Sequence, residues 1–308
     1  MNKPLRIGTR DSELAMWQAT HVAALLNADG KETELHPIKS EGDLDLSTPL
    51  GEMGGKGVFT KALDLALLDG TIDLAVHSFK DLPTQQPHPL AVAAVLERED
   101  PADVLVAPNG DSFIEDSDVP AVIATSSHRR KAQWLHRFPS HEVVPIRGNV
   151  QTRLGKIESE KRDGAIFAAA GLLRVGLEKV ITRHLDWMVP APAQGALAVM
   201  VREEDREIGS IVERLDDADT RLCTETEREV LTRLEAGCSA PLGAYAWLEG
   251  EELVLHAVVL TLDGSLQYDL EMRAPAVDPN RLGFRMADAL LEQGAHELME
   301  DLRKVRSE

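Results

Sequence analysis

Twice the chain passes through a helical period, stops at a glycine and re-emerges as an apolar strand: VFTKALDLALLDG into DLAVHS at 58–78, and RLGKIESEKRDG into AIFAAAG at 153–171. This repeated order constrains the fold most, because strand–helix–strand connections lay parallel strands in one sheet and put helices on its faces. LRIGTR supplies a strand before the first repeat. SELAMWQATHVAALLNAD then reads as a helix with Leu14, Trp17 or Gln18, Val22 and Leu25 on one face, Asp11 or Ser12 as cap and Gly30 as stop. TELHPIK is a second strand, and SEGDLDLSTPLGEMGGKG, 40–57, has breakers and no apolar period, which predicts a long mobile loop. Before the second repeat AVIATSS runs into the helix SHRRKAQWLHRF, followed by the strand EVVPIR. ALAVMV, 196–201, reads as a strand returning to the first unit.

The last third changes character. After the helical stretch EREVLTRLEAG, the segments YAWLEG, EELVLHAVVL and SLQYDLEMR alternate apolar and polar residues, with hairpin turns around Gly250 and at Asp263-Gly264. The amphipathic helix RLGFRMADALLEQGAHELMEDLRKV closes the sequence. The expectation is an α/β protein of 308 residues in which two similar α/β domains form a cleft, an architecture that resembles bilobal binding proteins, plus a small α+β C-terminal domain. The expected boundaries are 1–99 with 195–216, then 100–194, then 217–308.

The charge balance narrows the partners. Against 33 basic residues stand 52 acidic ones, a formal net charge of -19, which repels nucleic acid. No run reaches the roughly 20 apolar residues that span a bilayer, and MNKPLRIG lacks the pattern of an export signal, so no membrane partner and a cytoplasmic location are expected. Cys223 and Cys238 form neither a disulfide framework nor a zinc pattern, so no metal is expected.

In this acidic background the basic residues at predicted strand ends need a reason. Arg10 follows LRIGT, Lys80 follows AVHSF, Arg129 and Arg130 follow IATSSH, Arg147 follows VVPI, Arg153 lies just beyond, and Arg174 follows AAAGLL. Open α/β sheets bind ligands outside the carboxyl ends of their strands, helix starts favour anions, and arginine matches a carboxylate with two parallel hydrogen bonds. The set therefore implies a ligand with several carboxylates or phosphates, and the absence of GxxxxGK[ST] weighs against phosphate. Asp81 is the one carboxylate among these cations, readable either as a turn cap before Pro83 or as a stabiliser of a cation. Cys238, in EAGCSAP, sits among small residues on a connector with room for an adduct, whereas Cys223 lies within a helical stretch. From the residues alone, a reversible anion binder and a thiol hydrolase using Cys238 with His77 or His128 stay open beside a transferase.

The ordered set TRDSELAMWQ, GGKGVFTKAL, AVHSFKDLP, EREDPAD, ATSSHRR, RGNVQTRL, AAGLLRVG, PAPAQGAL and LEAGCSAP, spanning 9–241, resembles the successive motifs of the porphobilinogen deaminase (hydroxymethylbilane synthase) family. The resemblance implies a transferase that condenses four porphobilinogen molecules into hydroxymethylbilane with release of ammonia, on a dipyrromethane cofactor. It implies Cys238 as the thioether anchor and Asp81 as the catalytic carboxylate. It further implies Ser78, Lys80, Thr125, Ser126, Ser127, Arg129 and Arg130 at the cofactor, and Arg10, Ser12, Arg147, Arg153, Arg174 and Gln194 at the substrate or growing chain. A monomer with no partner beyond its small-molecule substrate is expected. Three positions depart from the family's pattern: His128, where an aliphatic residue is common, and Ala193 and Ala236, where glycine is frequent.

Overall fold

Each strand–helix repeat becomes the parallel half of a mixed sheet. In the computed structural model, which describes residues 3–39, 60–116, 119–235, 240–296 and 298–299, β1 (Leu5–Thr9), β2 (Thr33–Pro37) and β3 (Leu74–Ser78) run parallel in the order β2-β1-β3. Helices α1 (Glu13–Ala28) and α2 (Lys61–Leu68) belong to these crossovers. β4 (Leu90–Val95) completes this sheet at its far edge. In the second sheet β5 (Asp103–Val106), β6 (Val122–Ala124), β7 (Glu142–Val144), β8 (Gly164–Ala168) and β9 (Arg183–His184) take the order β7-β6-β8-β5-β9. Its crossover helices are α3 (His128–Arg137) and α4 (Val150–Ser159), and α5 (Ala169–Leu173) follows β8 directly.

The two sheets share a topology strand for strand. β10 (Leu197–Arg202) enters the first antiparallel to both β3 and β4, and β5 enters the second antiparallel to both β8 and β9. ALAVMV thus returns to the first sheet, as expected. β4 and β5 are not foreseeable from the sequence, because LAVAAV and DVLV are short apolar runs whose period favours neither strand nor helix.

Helix α6 (Arg206–Val212) and the long α7 (Ala218–Arg233) lead to the antiparallel sheet β11 (Leu242–Glu249), β12 (Glu252–Leu260) and β13 (Gln267–Pro275), onto which α8 (Leu282–Leu290) packs. Its core contains fully buried Val230, Leu255, Leu282, Met286 and Leu290, each apolar side chain contributing roughly 1.5–3 kcal/mol on burial. The expected closing helix is regular from Leu282 to Leu290, is kinked at Gly294, φ 114, and is helical again at 296, 298 and 299; its remainder, 300–305, lies outside the described residues. The Asp263-Gly264 turn is tight for a second reason: a Cβ at Gly264 would overlap the Ala132 carbonyl and the His136 amide of α3. His136 Nδ1 meets the Gly264 carbonyl at 2.8 Å.

The chain divides into two compact units, 1–99 with 195–221 and 100–194 with 222–308. In α1 the buried face is Ala15, Gln18, Ala19, Val22, Ala23 and Leu26. The expected face therefore holds at Val22 and at Gln18, the alternative to Trp17, and is displaced elsewhere, with Leu25 and Trp17 exposed, because the small alanines let the helix lie close to the sheet. The segment 40–57, expected as a loop, lies outside the described residues.

Candidate active site

In the first unit the carboxyl ends of β1 and β3 carry the expected residues side by side. Thr9 at the end of β1 is fully buried and its hydroxyl donates to the Ala15 carbonyl at 2.9 Å, which ties the strand end to the first turn of α1. Ser12 is the cap, its hydroxyl accepting the Ala15 amide at 3.3 Å, which decides between Asp11 and Ser12. Gln18 on α1 donates to Ser78 Oγ at 2.9 Å. The chain then forms a single 3-10 turn, Phe79–Asp81, in which Phe79 is buried, Lys80 is half-buried and Asp81 is exposed. Phe79 thus anchors the turn that presents Asp81 to solvent.

His77, one residue before Ser78, is buried with its Nε2 lacking a hydrogen-bond partner. Burial, reinforced by the charge of Arg10, lowers its pKa to about 4, so the ring is neutral near pH 7. A neutral, enclosed imidazole gives no support to a thiol hydrolase.

In the second unit the carboxyl ends of β6, β7 and β8 carry the remaining set. Thr125 Oγ1 accepts the Ser127 amide at 3.2 Å, Ser126 Oγ donates to the Ile146 carbonyl at 2.7 Å, and Ser127 caps α3 by accepting the Arg130 amide at 3.4 Å. His128 occupies the exposed first position of α3, where an imidazole fits without displacing a neighbour from the core. Arg147 precedes the Asn149 cap of α4, and Arg153 Nε donates back to the Gly148 carbonyl at 2.7 Å. Arg174, just past α5, is buried.

Arg129 and Arg130 are buried too, and both pair with Asp103, a fully buried carboxylate that heads β5 opposite Ala168 at the end of β8. Arg129 donates to Asp103 and, at 2.8 Å, to the Val189 carbonyl. Arg130 donates through Nε to Asp103 at 2.9 Å and through Nη1 to the Ile166 carbonyl at 3.0 Å. Gln194, fully buried, donates to Asp103 at 2.9 Å and to the Pro101 carbonyl at 2.8 Å. Burial opposes ionisation of Asp103, but the two guanidiniums and their hydrogen bonds hold its carboxyl well below the ordinary range. Burial lowers the Arg130 pKa, Asp103 opposes that shift and Arg129 adds to it.

The role of Asp103 is missed by a reading of the sequence, although an acid opening an otherwise apolar strand is the signal that could have found it. The buried trio carries two positive charges against one negative, and Arg129 Nε is enclosed without a partner. A carboxylate ligand supplies what such a site lacks. The donor set therefore fits a cofactor bearing acetate and propionate groups. Cys238 and Ala236 lie outside the described residues. Among the described residues, no three His, Cys, Asp or Glu cluster as metal ligands.

Ala193, the second departure, has φ 63, a left-handed conformation that explains a glycine preference there. Gly195 has φ +90, and a Cβ on it would overlap the Glu99 carbonyl. Between them the turn holds the Gln194 amide on Asp103.

Comparison with known proteins bears on this site. A family model described as "Porphobilinogen deaminase, dipyromethane cofactor binding domain" matches residues 5–210, and one described as "Porphobilinogen deaminase, C-terminal domain" matches 221–292. The porphobilinogen deaminase of Geobacter sulfurreducens is 41% identical over 304 residues, covering 97% of this chain and 94% of the relative. That of Syntrophotalea carbinolica is 43% identical over 301 residues, covering 96% and 95%. Among solved structures, the periplasmic VFT2 domain of Bordetella pertussis BvgS aligns with a TM-score of 0.41 at 13% identity, over 68% of this chain and 86% of that one. The architecture rests on the sheet orders above rather than on that loose superposition.

Proposed function

The chain belongs to the porphobilinogen deaminase family, and from that premise we propose how its residues divide the reaction. The enzyme is a transferase of tetrapyrrole biosynthesis that condenses four porphobilinogen molecules head to tail into hydroxymethylbilane and releases ammonia. Its dipyrromethane cofactor, when bound, supplies the pyrrole carbon from which the chain is extended.

In our assignment Cys238 anchors that cofactor through a thioether. Arg129, Arg130, Thr125, Ser126, Ser127, Ser78 and Lys80 hold its carboxylate arms. Arg10, Ser12, Arg147, Arg153 and Arg174 receive the substrate and the lengthening chain, and Gln194 contributes through Asp103. The observation that carries this reading is the buried trio of Arg129, Arg130 and Asp103, whose surplus positive charge calls for an anionic ligand. Departure of ammonia from porphobilinogen leaves a cation. Asp81, exposed at the end of its turn, offsets that charge with a carboxylate and accepts the proton lost from the attacking ring.

We propose three domains, 1–99 with 195–216, 100–194 and 217–308, in a cytoplasmic monomer that binds neither nucleic acid nor membrane. The net charge of -19 supports the exclusion of polyanions. Among the described residues no helix is long and apolar enough to cross a membrane. Intact-mass measurement tests the anchor: the purified protein should exceed its sequence mass by one dipyrromethane, Cys238→Ala should abolish the excess, and Cys223→Ala should retain it. An active protein of unmodified mass would refute the assignment.

A further inference from the structure

Glu227 is a fully buried carboxylate in the middle of α7, the helix that leads towards residues 236–239, and neither the reaction nor the expected cofactor contacts account for it. One of its oxygens accepts the Ala193 amide at 2.6 Å and the other accepts the Ala246 amide of β11 at 2.8 Å. Each of its oxygens therefore accepts from a main-chain N–H group. Ala193 carries a Cβ in a left-handed conformation, a strained state that persists only where its surroundings hold it.

The Glu227 carboxylate holds the amide of Ala193, and the Gln194 amide closes the same turn on the Ala191 carbonyl at 2.9 Å. Directly after Ala193, the Gln194 side chain donates to Asp103 at 2.9 Å, and Asp103 in turn pairs with Arg129 and Arg130. Hydrogen bonds on either side of the Ala193–Gln194 peptide bond thus link α7 to the arginine pair, and Glu227, Ala193, Gln194, Asp103, Arg129 and Arg130 all lie within the second unit. We propose that Glu227 is a positioning residue for cofactor loading: through the Ala193 turn and Gln194 it sets Asp103, and hence the two guanidiniums, in the arrangement that receives the cofactor's carboxylates. This inference rests on the functional reading above. It predicts that losing Glu227 slows cofactor assembly beyond what the accompanying loss of stability explains.

The test starts from apoprotein incubated with porphobilinogen, with uptake of the dipyrromethane mass followed over time and the thermal midpoint of each apoprotein measured alongside. Glu227→Ala should slow uptake by roughly ten- to a hundredfold, the span of one charge-assisted hydrogen bond. Leu231→Ala, a truncation in the C-terminal core, serves as the stability control and should keep uptake within about twofold once matched for midpoint. Adding Ala193→Gly to Glu227→Ala should recover most of the rate, since glycine adopts the left-handed turn without a Cβ to hold in place. Should Glu227→Ala fail to fold, Glu227→Gln, which keeps the shape and one acceptor, carries the same comparison with a smaller loss. Uptake at the parent rate, a loss no greater than that of the matched Leu231→Ala, or no recovery with Ala193→Gly would each overturn the proposal. Failure of the parent apoprotein to gain mass would instead count against the functional reading itself.

Discussion

Replacing Asp103 with Asn keeps the shape of the side chain and removes the negative charge that the structure sets against Arg129 and Arg130. Both guanidiniums would remain buried, and Gln194 would face an amide where it now donates to a carboxylate. Breaking a buried ion pair by removing one partner costs about 3–5 kcal/mol, because the surviving charge is left uncompensated. For a unit of this size each kcal/mol lowers the melting midpoint by roughly 2–4 °C, so the expected drop is about 6–20 °C. The pH dependence follows from the depressed carboxyl: burial opposes its ionisation, yet Arg129 and Arg130 hold it below the ordinary range. Its contribution is fully present above the unfolded carboxylate value of about 3.9 and is lost only as pH falls through the lower folded value. The gap between parent and variant should therefore stay constant from about pH 5 to 8 and close only in stronger acid. The assay is thermal melting across that range with both proteins in a Cys238→Ala background, so that the cofactor contributes to neither. A midpoint change under about 2 °C, or a gap that closes between about pH 8 and 6, would refute the reasoning.

Asp81→Asn should bind substrate but lower turnover by roughly 10²–10⁴, with Asp81→Glu less impaired; single-turnover ammonia release on cofactor-loaded protein measures it, and release at the parent rate would reduce Asp81 to a turn residue. Arg129→Leu should impair cofactor loading, whereas Arg147→Leu should load cofactor and stall during chain growth, a distinction read from the mass of the enzyme and its intermediates. His77 is held neutral by burial at a pKa of about 4. Its contribution to stability is complete above the unfolded value of about 6.5 and is lost as pH falls through the folded one, so parent protein should lose up to about 3 kcal/mol over that interval that His77→Gln does not. Denaturant titrations at about pH 7 and 4.5 compare the two, and equal losses would contradict the assignment.

Much of the site's placement is local and legible in the sequence. Arg10, Ser12, Lys80 and Asp81, and in the second unit Thr125 to Ser127 and Arg147, follow the ends of strands that a few neighbouring residues suffice to mark, whereas Arg174, expected after a strand, follows the short helix α5. What is not legible is the condition of Arg129 and Arg130. Next to a serine run at a helix start they read only as anion receptors; the fold buries both and gives them Asp103. The expected apolar face of α1 is right at Val22 but misplaced at Trp17 and Leu25 for a related reason, since its period is compatible with several rotations and the alanine-lined packing on the sheet selects one.

By itself the sequence determined the repeated strand–helix order, the entry from AVIATSS into the helix SHRRKAQWLHRF, the Asp263-Gly264 turn and the family to which the chain belongs. Each depends on spacing, backbone sterics or hydrogen bonds reaching only a few residues. Only the tertiary structure decided that β10 lies between β3 and β4 and antiparallel to both, that Arg129 finds Asp103 across 26 positions, and that Glu227 holds the Ala193 amide across 34. A buried charge must be met by whichever partner the packing brings within reach, and that choice is made by the arrangement of whole elements, which no local pattern of residues encodes.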